Sequence, residues 1–125
     1  MNHVQQAQSA YAAAAGPARS PRSIEFDAFA RVTRKMSEAS RAGAKGFPSL
    51  ASALHENRRL WTVLASSVAD RDNALPNALR ARILYLAEFT QTETTRILAG
   101  EAEAAALIDI NTAIMQGLRT EAQGQ

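Results

Sequence analysis

The sequence predicts an all-α fold, a small single-domain bundle of four to five helices, from three observations. Apolar residues recur at steps of three and four along most of the chain, the spacing that lines one face of a helix. Alternating apolar/polar runs, the mark of half-buried strands, are absent. Breakers are few: six glycines and four prolines in 125 residues, falling at the edges of the periodic segments. At 13.4 kDa the chain is the size of one domain.

Residues 4–15 are an Ala/Gln tract of high helix propensity with little to bury beyond Val4, Tyr11 and alanines, a marginal helix on its own, stopped by Gly16-Pro17. Ser20-Pro21 reads as an N-cap with proline in the first turn. From there Ala28, Phe29, Val32, Met36 and Ala39 form a stripe, and Gly43 to Gly46 break the helix. Pro48 opens a third helix, to about Ala69, whose apolar face carries Leu50, Leu54, Trp61, Leu64 and Val68. Asp70 to Asn73 are a turn cluster, in which Asp72 or Asn73 can cap the following helix and Leu75-Pro76 start it. That fourth helix runs to about Ala99 and is ended by Gly100. Its stripe is Leu79, Ile83, Leu86, Thr90 and Ile97. The last helix is expected from Glu101 to Leu118, with Leu107, Ile114 and Leu118 on one face. The domain division is therefore 1–19, an Ala/Gln-rich segment that is mobile when alone; 20–118, the bundle; and 119–125, a disordered tail.

Composition excludes several classes of chemistry. With no cysteine there is no disulfide, thiol nucleophile or thiolate zinc site. Only two histidines exist, and in His55-Glu56 the second histidine of a zinc helix is replaced by Arg59. Neither a Gly-x-Ser-x-Gly elbow nor a phosphate loop is present. The expectation is a protein that is not an enzyme and uses no cofactor or metal. No stretch approaches the roughly 20 apolar residues of a membrane span, and the polar start MNHVQQAQSA is not a secretory signal, so a cytoplasmic location is expected. The net charge of +2 is unevenly spread: residues 1–48 carry +4 and the remainder −2. A basic front half admits an RNA contact through Arg31, Arg34, Lys35, Arg58 and Arg59, although no dense basic block exists.

Other residues stand out for binding. Arg58, Arg59 and Trp61 cluster, and Arg next to Trp can hold a phosphate or stack on a base; the competing reading makes Trp61 a core anchor. Tyr85 and Phe89, four apart, form a second apolar patch near Arg80, which means either burial on two sides or a partner surface. Asn57 and Asn111 each interrupt an apolar stripe and must be hydrogen-bonded; they are expected to face each other or the 70–76 turn. With Asn73 and Pro76 they are the candidate structural polar and turn positions.

These runs also carry a resemblance. Asn57-Arg58-Arg59-Leu60-Trp61-Thr62, Asp72-Asn73-Ala74-Leu75-Pro76, Ala87-Glu88-Phe89-Thr90 and Ile108-Asp109-Ile110-Asn111 with Ile114 resemble the alphaproteobacterial flagellar biosynthesis regulator FlaF, over about residues 8–118. The resemblance implies a role in flagellin synthesis or secretion, as an export chaperone or regulator that binds flagellin and works beside a second regulator, FlbT. It implies no catalytic residues. The alternative it leaves open is post-transcriptional control of flagellin mRNA, through RNA or through FlbT.

Overall fold

The computed structural model describes the backbone of residues 21–123 and the side chains of residues 26–117. The helix expected over 4–15 and the Ser20 cap lie outside the described residues. Four helices follow one another: α1 (Pro21–Arg41), α2 (Phe47–Ala69), α3 (Asn77–Leu98) and α4 (Ala105–Gln123), with a 3-10 turn at Gly43–Gly46 between α1 and α2. No strand occurs among the described residues.

The helices run up, down, up and down. One core cluster joins Met36, late in α1, to Leu54, early in α2, to Ile97, late in α3, and to Leu107, early in α4. The other joins Phe29, Trp61, Val68, Ile83 and Ala87, with Ile114 and Met115 of α4 packed against them. The two clusters thus sit at opposite ends of an antiparallel bundle. Phe29 and Trp61 meet edge to face at a centroid distance of 5.8 Å, an arrangement favoured by the ring quadrupoles. Helix α1 packs broadly on α2 and α4, and α2 on α3, while α3 and α4 barely meet. Among the described residues the bundle is closed on three sides and open along the fourth.

Local chemistry sets the boundaries. Gly46 is buried where the turn crosses the end of α1, and a Cβ there would lie 2.2 Å from the Ala39 carbonyl oxygen. Pro48 then occupies the first turn of α2. After α3, Gly100 takes a φ of 78°. Its N–H bonds the Ile97 carbonyl at 3.0 Å, and the Glu101 N–H bonds the Arg96 carbonyl at 2.9 Å. Together these two bonds are a Schellman closure.

Two expected boundaries differ. Helix α4 begins at Ala105 rather than Glu101, because the Glu101 N–H is used to close α3 and the chain bends before it can start again. Its backbone passes through Gly117 to Gln123, beyond the expected end at Leu118 and into the segment read as a tail. A Cβ at Gly117 would meet nothing within 4 Å, and in the middle of a helix a lone glycine is a cost rather than a stop.

Candidate partner-binding face

Between α2 and α4 lies a chain of buried polar groups. The Trp61 Nε1–H donates to Asn111 Oδ1 at 2.9 Å. Asn111 Nδ2 donates to Asn57 Oδ1 at 2.7 Å and to Thr33 Oγ1 at 3.1 Å. An indole N–H can only donate, so it fixes which way the Asn111 amide points; Asn111 in turn fixes Asn57. That order leaves Asn57 Nδ2 buried without a partner. Thr90 Oγ1 on α3, a residue with no exposed surface, is likewise without a partner. The network ties α1, α2 and α4 together, and Thr33 is the member that sequence reasoning missed. Its signal was weak: one threonine between Val32 and Met36 at the edge of an apolar stripe.

The residues singled out for partner contact separate into two groups. Trp61 has no exposed surface and belongs to the core, so it presents nothing to a partner. Arg58 turns across to α3, where its guanidinium donates to the Gln91 carbonyl at 3.0 Å and to Thr95 Oγ1 at 2.9 Å. Arg80 closes the end of α2: Nε donates to the Val68 carbonyl at 2.7 Å and an Nη to the Asp70 carbonyl at 2.9 Å. The Val68 carbonyl lies in the last turn of α2 and the Asp70 carbonyl, which also accepts the Asn73 N–H at 3.0 Å, at its C-cap, where a cation is favoured. Both arginines read as surface cations in the sequence; the structure commits them to holding α3 on α2. Arg59 is exposed.

Asn73 does not cap α3, which starts after Pro76 with no side-chain cap. Its Oδ1 instead accepts the Leu75 N–H at 3.0 Å, and its Nδ2 donates to the Ser67 carbonyl at 3.0 Å. It pins the turn to the end of α2, an Asx turn in which the side chain mimics backbone.

Tyr85 and Phe89 belong to the second group. Tyr85 is 67% exposed and Phe89 half-buried. At about 100° per residue, Phe89 lies on the side of α3 away from Gln91, the residue that Arg58 grips. It therefore faces the open α3/α4 side. Leu86, half-buried, and Leu79, 37% exposed, continue that side along α3. On α4 the corresponding residues are the half-buried Ile110 and Ile114. The result is a largely apolar face that no described element covers, interrupted on α3 by the buried Glu93, whose carboxylate accepts from Arg96 at 2.8 Å.

The cations considered for RNA are partly engaged. Lys35 Nζ and an Arg31 Nη both approach the Glu56 carboxylate, at 3.0 and 3.9 Å, while Arg34 and Arg59 are exposed. Among the described residues no three His, Cys, Asp or Glu side chains gather where they could hold a metal ion, and no helix is long and apolar enough to cross a membrane.

Fold and face together define a small all-α bundle that leaves apolar helical surface outside its own core. The chain belongs to a family described as flagellar protein FlaF, whose family model matches residues 7–118. It is thus a flagellar protein, and the match takes in the buried amide chain and both walls of the open face. No curated protein sequence and no solved structure matches it.

Proposed function

We propose that this protein promotes flagellin synthesis or secretion without catalysing a reaction, by docking an amphipathic segment of flagellin in the cytoplasm before export. The observation that carries the reading is the open α3/α4 face, with Leu79, Tyr85, Leu86 and Phe89 on one wall and Ile110 and Ile114 on the other. Two parallel apolar walls fit one face of a helix. Membership of a flagellar protein family supports a partner from the flagellar system, and we take flagellin as that partner. Direct RNA recognition is the weaker reading, since Arg31 and Lys35 share Glu56 and Arg58 is turned inward.

Binding of the purified protein to flagellin, to FlbT and to flagellin leader RNA tests this. Flagellin should bind with little dependence on salt, as apolar contact requires, whereas an RNA complex weakens steeply. Tyr85→Glu should weaken flagellin binding at least tenfold while leaving the unfolding midpoint unchanged, because Tyr85 is largely exposed. No binding to flagellin, or salt-sensitive binding to RNA alone, overturns the reading.

A further inference from the structure

We infer that the open α3/α4 face pairs with the same face of a second copy, in a twofold dimer where α3 packs antiparallel on α3 and α4 on α4. The self-pairing stands on the face alone; only its competition with flagellin rests on the function proposed above.

A twofold interface has to be self-complementary: if one residue meets another of the second copy, the reverse contact is made as well. On α3, Arg82, Leu86, Phe89 and Glu93 fall within about 60° of one another, on the side away from Gln91. An axis crossing α3 between Ala87 and Glu88 sets Leu86 against Phe89 of the second copy. The same axis sets the exposed Arg82 against Glu93 of the second copy, the carboxylate that interrupts the face. Moving the axis to Phe89 would instead oppose Arg82 to Arg96 of the second copy, and like charges facing each other are costly. Charge thus selects one register.

Helix α4 fits the same symmetry. Its Ile108 lines a cavity with Ser37 and Arg41 of α1. Ala106, Ile110, Ala113 and Gly117 lie on the opposite side of α4, again within about 60° of one another. An axis between Asn111 and Thr112 sets Ile110 over Ala113 of the second copy and Ala106 over its Gly117. Large meets small, and small meets small, so the helices can approach closely. Ile83 shares one core cluster with Ile114, and Ile97 shares the other with Leu107. The two crossing points are therefore level to within about one turn, and a single axis serves both helix pairs.

The area is sufficient. From Ala78 to Arg96 is about 27 Å, and two helices are about 20 Å wide. Over both copies that is roughly 1,100 Å², just past the size of a specific interface and well short of an obligate one. A second copy and a flagellin segment exclude each other, so flagellin binding draws on the monomer.

The absence of cysteine allows the register to be tested in the full chain. Ala106→Cys protein mixed with Gly117→Cys protein should be cross-linked to a dimer by a short bis-maleimide. Either variant alone should not, because its two thiols would stand about 17 Å apart along the paired helices. In sedimentation the parent should show a concentration-dependent dimer, and Arg82→Glu, at an exposed position, should weaken it at least tenfold with helix content unchanged. A monomer even at millimolar concentration, a dimer indifferent to Arg82→Glu, or either cysteine variant alone cross-linking as well as the mixture overturns the proposal. Flagellin binding is read separately. If the mixture cross-links as expected and flagellin binds neither dimer nor monomer, the self-pairing stands and the proposed partner falls. If flagellin binds a protein that never dimerises, the reverse holds. If both hold, the cross-linked dimer should bind flagellin at least tenfold more weakly than the free protein.

Discussion

Replacing Asn111 by leucine tests the buried polar chain with little change of volume. The substitution removes the acceptor of the Trp61 N–H and the donor to Asn57 Oδ1 and Thr33 Oγ1. Trp61 and Asn57 have no exposed surface, so water cannot take the place of the lost amide. Each group left without a partner costs about 1–3 kcal/mol, and Asn57, whose Nδ2 is already orphaned, would then make no side-chain bond at all. Burying the leucine returns part of that sum, leaving an expected loss of about 2–4 kcal/mol. Against a total stability of about 5–15 kcal/mol for a domain, the change is large. Urea unfolding followed by far-UV circular dichroism measures it. The same substitution in a Trp61→Phe background should cost about 1–3 kcal/mol less, because no indole N–H remains to be orphaned. An Asn111→Leu protein as stable as the parent, or one whose loss is the same in both backgrounds, refutes the account.

Two further outcomes are expected. Arg80→Met retains the aliphatic stem but removes the guanidinium bonds to the Val68 and Asp70 carbonyls, leaving Asp70 only its bond from the Asn73 N–H; it should lower stability by about 1–2 kcal/mol and speed amide exchange in the 70–76 turn more than in α4. Gly46→Ala places a methyl against the Ala39 carbonyl and should cost about 1–3 kcal/mol by thermal unfolding, whereas Gly117→Ala, with open space around it, should be neutral or stabilising.

The helices were legible because spacing alone marks them: Val32 and Met36, Leu54 and Trp61, Ile83 and Ile97 all fall on the stripes that the structure buries. Asn57 and Asn111 were visible as amides on those stripes, but a single sequence does not say which helices face each other, so Thr33 and the Trp61 N–H could not be attached to them. Arg58 and Arg80 were illegible for a related reason. A long cation beside a helix looks solvent-facing until the neighbouring carbonyls are placed within its reach. The start of α4 was misread because Glu101 suits a first turn, while the glycine before it, at positive φ, hands the Glu101 N–H to the preceding helix. Leu86, Phe89, Ile110 and Ile114 were each readable as apolar positions. That they form one face depends on α3 and α4 standing apart, which no local pattern encodes.

Helix α3 is held differently from its neighbours. Among the described residues, the side-chain bonds that leave it run to α2 or to the turn just after α2, through Arg58, Gln91 and Arg80. The amide chain centred on Asn111 joins the other three helices without it. Helix α3 is therefore a leaf hung along a single edge. The hydrogen bonds that lock the remaining three are therefore independent of α3, whose tie to α1 and α4 is the apolar packing of Ile83, Ala87 and Ile97.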